Sequence, residues 1–150
     1  MKRLLFSALI LILLTTACGP EKGIEVHSAW MRPSLKGTNG GVYFELHNHG
    51  STPDELTGIT SEASVVAEIH ESKMEGDVMK MDMLTSLPFD AYADIAFEPG
   101  GLHVMLVDLR QDYNLNDEFT IVLHFKTHED ITVHVLVKDS APEEEEHTDM

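Results

Sequence analysis

"GGLHVMLVDL" (100–109) settles the architecture of this chain. A glycine pair gives a turn, and the next eight residues are almost all apolar or β-branched, with no helical spacing of their polar members. In an extended chain, side chains alternate between faces. Leu102, Val104 and Leu106 then point one way and His103 and Met105 the other. If the first set faces a core, an imidazole and a thioether stand side by side on the opposite face.

Working outward, similar segments recur at the short, regular spacing of an all-β sandwich or barrel. They are "IEVHSAWMR", "GVYFELHNH", "ASVVAEIHE", "VMKMDML", "ADIAFEP", "EFTIVLHFKTH" and "ITVHVLVKD". Turn chemistry separates them at "KGTNGG", "HGSTPDE", "EGD", "EPGG" and "NLND". "SEASVVAEIHE" also reads as a short helix, but its Val-Val pair and Ile69 favour extended chain. In "TIVLHFK", Ile121, Leu123 and Phe125 share one face. One β-domain is expected over 24–138, within the size that a single core supports.

The ends read differently. A basic start (Lys2, Arg3), the apolar run "LLFSALILILL" and "TTAC" have the layout of an export signal over 1–18, too short to span a bilayer. Cys18, the sole cysteine, excludes an internal disulfide. The segment resembles a bacterial lipoprotein signal, which would make Cys18 the lipidated first residue of the mature protein. The other reading is cleavage near Ala17, leaving a free thiol; both export the chain. Residues 19–23 read as a linker, and 139–150, "DSAPEEEEHTDM" with its acidic run, as a disordered tail. The formal charge of −16 argues against phosphate-backbone contacts, so no nucleic-acid partner is expected.

Nine histidines and eight methionines supply candidate ligands. Methionine ordinarily fills core gaps, so pairing carries the argument. His70 and Met81 bracket a turn containing Gly76, which lets the chain fold back, and His103 and Met105 share a strand face. Together they make a neutral set of two imidazoles and two thioethers. Thioethers are soft donors suited to Cu(I) and poor for Zn(II) or hard cations. A structural zinc site would show several cysteines, and a blue-copper site needs a thiolate. In an oxidising compartment, thioethers also cannot be lost to disulfide formation.

The spacing His70, ten residues, Met81, twenty-one residues, His103, one residue, Met105 is similar to the motif of the PCu(A)C family of periplasmic copper chaperones, without a gap. "AWMRPS" (29–34), "GGVYFELHNHG" (40–50) and "PGGLHVMLVDL" (99–109) resemble that family too. The resemblance covers roughly 24–138. It implies a single-domain, cupredoxin-like Greek-key β-sandwich holding one Cu(I) per monomer through His70, Met81, His103 and Met105. It also implies periplasmic carriage of copper to an accepting protein, a cytochrome oxidase subunit or another assembly chaperone. A monomer is expected, in contact with the membrane only through a lipid on Cys18. His27 stands where the family commonly has an acidic residue, and the acidic tail is an addition.

Competing readings exist for the neighbouring residues. Met79, Met81 and Met83 alternate with Lys80 and Asp82 as a core-facing strand would, so packing or a hydrophobic rim is expected for Met79 and Met83. Met74 is expected in the turn, with a place as alternate ligand the lesser option, and Glu71 as exposed, with orientation of His70 the lesser option. "HNH" (47–49) lacks the surroundings of a nuclease. His47 and His49 read as solvated, with a Cu(II) or Zn(II) site as the lesser option, and His124, His128 and His134 read alike. Two other function classes are a copper-dependent redox enzyme and a metal-free sandwich lipoprotein that binds a protein partner. No acid–base or nucleophile constellation supports the enzyme, so a non-enzyme is expected.

Overall fold

The computed structural model describes residues 23–140. The export segment with Cys18, the linker up to residue 22 and the tail from residue 141 lie outside the described residues. Those described form ten strands and no helix: β1 Ile24–Met31, β2 Gly40–Asn48, β3 Asp54–Ser61, β4 Ser64–Glu75, β5 Val78–Leu84, β6 Leu87–Phe89, β7 Asp94–Phe97, β8 Leu102–Leu109, β9 Glu118–Phe125 and β10 Ile131–Val137. The all-β expectation holds. "SEASVVAEIHE" forms a turn and the first part of β4 rather than a helix, as its β-branched residues dictate.

Hydrogen bonding joins the strands into one ladder in the order β5-β4-β8-β7-β2-β1-β10-β9-β3-β6, with a further β8–β2 pairing. The two layers expected of a sandwich are therefore the halves of one continuous sheet. The chain crosses between the halves at β2–β3, β3–β4, β5–β6, β6–β7 and β8–β9, as Greek-key connections do. A bulge between His27 and Trp30, with Ser28 at φ 57°, re-aims β1 where the sheet turns. The inner faces meet in a single apolar cluster. Ile69, Val104, Leu106 and Leu46 come from one half, and Leu56, Ile121, Leu123, Val133 and Val135 from the other.

Two strands depart from the sequence expectation. β3, "DELTGITS", begins within a stretch read as a turn, because its acidic residues and Gly58 hide Leu56 and Ile59, its buried pair. β6 is three residues long and contains Pro88, tolerated because β6 ends the sheet.

Candidate metal centre

The stretch from His70 to Met81 is a hairpin rather than a surface loop. β4 and β5 pair without a break from Ile69↔Leu84 to Glu75↔Val78, closed by Gly76-Asp77. Gly76 sits at φ 64°, which only glycine adopts without cost, and the place of a first central glycine suits a two-residue hairpin turn. Met74, expected in the turn, lies within β4 opposite Met79.

The register then places the site. Directly opposite residues of an antiparallel pair share a face. On β4–β8, His70 lies opposite His103 and Glu68 opposite Met105. On β4–β5, Met83 lies opposite His70, Met81 opposite Ser72 and Met79 opposite Met74. Core residues Ile69, Val104 and Leu106 occupy the other face. The outer face thus carries Met83–His70–His103 as one row, with Met81 and Met105 at opposite diagonals of His70. The ring centroids of His70 and His103 are 5.8 Å apart, tilted by 55°. Tyr43 adds a third ring 6.4 Å from His103 and packs on Trp30 at 4.9 Å. His103 is consequently only 4% exposed although it lies on the outer face.

Each imidazole is oriented through one nitrogen. His103 Nδ1–H donates to the Gly101 carbonyl oxygen at 3.0 Å, which leaves Nε2 with its lone pair. His70 Nε2–H donates to the Glu68 carboxylate at 2.8 Å, which leaves Nδ1 as the bare nitrogen. That Nδ1 is buried and has no hydrogen-bond partner among the described residues. A buried polar atom without a partner is costly unless something else satisfies it. A buried lone pair on a ring 5.8 Å from that of His103 fits a metal ligand, and the carboxylate-bound rear nitrogen is the usual supporting arrangement.

The orienting carboxylate is Glu68, not Glu71. Adjacent residues of a strand face opposite ways, so Glu71 cannot share the face of His70; it pairs with Lys73 at 2.6 Å. The hairpin methionines are not core either. Met74, at the end of β4, and Met79, Met81 and Met83 on β5 are 61, 59, 50 and 58% exposed, because β5 is an edge strand that no other described residues cover. The rim reading of Met79 and Met83 fits this placement, and the packing reading does not. Among the described residues, no three His, Cys, Asp or Glu side chains gather around one point, so a soft ion here depends on sulfur.

The four motif residues are not equally close. The register sets His70 and His103 directly opposite each other and places Met105 and Met81 one two-residue step to either side, Met105 on the strand of His103 and Met81 on the edge strand. With ~4.8 Å between strands and ~3.4 Å per residue, a flat sheet would put the Met81 and Met105 Cα atoms about 17 Å apart. Two extended methionines with ~2.3 Å metal–sulfur bonds bridge roughly 13 Å. Engaging both requires the hairpin edge to curl toward β8. Met83, on the row of His70, needs no such movement.

Comparison with known proteins places this geometry. The family model described as "Putative lipoprotein LpqE-like" matches residues 24–137. The uncharacterized protein RP573 of Rickettsia prowazekii is 30% identical over 128 residues, 81% of this chain and 70% of its own length. A Leifsonia xyli protein named as a putative lipoprotein, Lxx21020, is 26% identical over 118 residues, 78% of this chain and 70% of its own. Among solved structures, the copper-bound PCuAC domain from PmoF2 superposes with a TM-score of 0.67 at 23% identity, covering 81% of this chain and 95% of that one. The Cu(I) form of DR1885 from Deinococcus radiodurans gives 0.62 at 19% identity, covering 83% and 82%. The fold is therefore the cupredoxin-like one of PCuAC domains, as the sequence led one to expect.

Proposed function

Because the chain belongs to the LpqE-like family of PCu(A)C domains, we propose that it is an exported metallochaperone that carries one Cu(I) ion to an accepting protein. The ligands in this reading are His70 through Nδ1, His103 through Nε2, and the thioethers of Met81 and Met105, with the β4–β5 edge bending toward β8 as copper is taken up. The observation that carries it is the buried Nδ1 of His70, without a hydrogen-bond partner among the described residues, on a ring 5.8 Å from a second imidazole at a thioether-rimmed face.

The donor set suits a carrier rather than an enzyme. Neutral imidazole and thioether donors satisfy a monovalent d10 ion without thiolates. Met81, half exposed on an edge strand, gives an incoming ligand of the acceptor a place to begin exchange, while buried His103 holds the ion. The lipoprotein names of the family and of the Leifsonia relative support export with attachment through Cys18. Delivery to a cytochrome oxidase subunit, or to another chaperone of its assembly, is the destination we assign.

Titration of the purified protein with Cu(I) against a chromogenic chelator tests the reading. One ion per chain is expected, with affinity lost in His103→Ala. Binding that survives His70→Ala and His103→Ala together would overturn it, as would turnover of a redox substrate by the loaded protein.

A further inference from the structure

A second group of donors lies on β1, β2 and the start of β7, apart from the copper face. Ile24 and the inward residues of β2 occupy the core side here, so Glu25, His27, Glu45, His47 and His49 all project outward. Glu25 lies opposite His47, and His27 opposite Glu45. The Nε2 atoms of His27 and His49 both approach one oxygen, Glu25 Oε2, at 3.3 and 3.2 Å. His47 sits between them, its ring centroid 5.5 Å from that of His27 and 6.0 Å from that of His49. His47 Nδ1–H donates to Asp94 at 2.7 Å, and its Nε2 lies 3.4 Å from Glu45.

We infer that His27, His47, His49 and Glu25 form a binding site for a borderline divalent ion of the Zn(II) type, independent of the copper site. The donor chemistry differs from that of the copper face. Imidazoles with a carboxylate and no sulfur suit zinc, for which thioether is a poor ligand. The separations are suitable as well. Two donors at ~2.0–2.1 Å from a tetrahedral ion stand about 3.3 Å apart, which is the spacing of each His nitrogen from the Glu25 oxygen. Asp94 behind His47 is the carboxylate–histidine arrangement that orients a metal-binding imidazole. Three donors do not yet converge on one point. The Glu25, His27 and His49 side chains are 42, 53 and 38% exposed, so rotation can draw them in. The chain's net charge of −16 raises the local concentration of cations.

The test is calorimetric titration of the purified full chain with Zn(II), repeated after Cu(I) loading. One Zn(II) per chain is expected, still bound when copper is present and retained in His70→Ala/Met81→Ala. His27→Asn/His49→Asn, and separately Glu25→Gln, should weaken it by more than about tenfold while leaving Cu(I) binding intact, which also shows that the variants fold. Absence of Zn(II) binding up to about 100 μM overturns the inference. So does unchanged affinity in His27→Asn/His49→Asn, or loss of zinc in His147→Asn alone. Failure of Cu(I) binding with zinc retained would refute the copper reading and leave this one standing.

Discussion

Replacing Glu68 by Gln changes one property of the copper face: the charge of the group behind His70. Glu68 accepts the Nε2–H of His70 at 2.8 Å, and with that nitrogen occupied the opposite nitrogen keeps its lone pair. The carboxylate also makes the imidazole a stronger donor. A glutamine oxygen retains the hydrogen bond and the shape but not the charge. Removing such a support costs roughly 10- to 100-fold in metal affinity, or about 1.4 to 2.8 kcal/mol. The Glu68 side chain is 32% exposed and that of His70 16%, so solvent screens part of the interaction. The lower end applies, a loss of about tenfold in Cu(I) affinity. Both consequences of the change, a weaker donor and one less negative charge near a cation, act in the same direction. Chelator competition measures the loss. Glu71→Gln is the internal control, since Glu71 is nearer in sequence but faces away and engages Lys73. Equal affinity in wild type and Glu68→Gln, or a larger loss in Glu71→Gln, refutes the reasoning.

Met81→Ala should weaken Cu(I) binding more than Met83→Ala, with thermal stability nearly unchanged in both because neither side chain is buried; the reverse order of affinities would put Met83 in the copper shell. Leu106→Ala removes a wholly buried side chain from the inner face of β8 and should cost about 2–5 kcal/mol in urea unfolding, against under about 0.5 kcal/mol for Met79→Ala. Gly76→Ala meets no neighbouring atom but forces a side chain to φ 64°, so it should destabilise the hairpin by about 1 kcal/mol through backbone strain alone, read as faster amide exchange in β5. His47 should titrate above its ordinary 6.5, raised chiefly by its hydrogen bond to Asp94 and then by Glu45, with partial burial opposing. The fold favours protonation of His47 more than the unfolded chain does, so that stabilisation is full below pH 6.5 and disappears as pH rises through the raised pKa. The stability difference between wild type and Asp94→Asn should follow that course, and an NMR titration placing His47 at or below 6.5 would contradict it.

The sequence made some of these features readable and hid others for physical reasons. β8 was legible to the residue, because strict alternation separates Val104 and Leu106 from His103 and Met105 and only one of the two faces is apolar. The hairpin was legible from Gly76, but its register was not. Register decides that Met83, rather than Met81, stands opposite His70, and no local pattern distinguishes one alternate methionine from the next. The run Met79-Met81-Met83 imitated a core strand because the sequence shows alternation but not whether anything covers the face. Edge position left it bare. Glu68 escaped notice, and Glu71 alone was weighed as an orienting group, because adjacency in sequence competes with the two-residue period of a strand, and the period prevails. β3 escaped notice because Asp54 and Glu55 read as turn and Gly58 interrupts the pattern after them, whereas two buried residues, Leu56 and Ile59, suffice to anchor a strand that β9 pairs on one side and β6 on the other.

X-ray absorption at the copper edge of the one-to-one Cu(I) complex tests the central claim most directly. A shell of two nitrogen and two sulfur neighbours is expected, losing one sulfur in Met105→Ala and one nitrogen in His70→Ala. A shell without sulfur, or one unaltered in His70→Ala, would contradict the account.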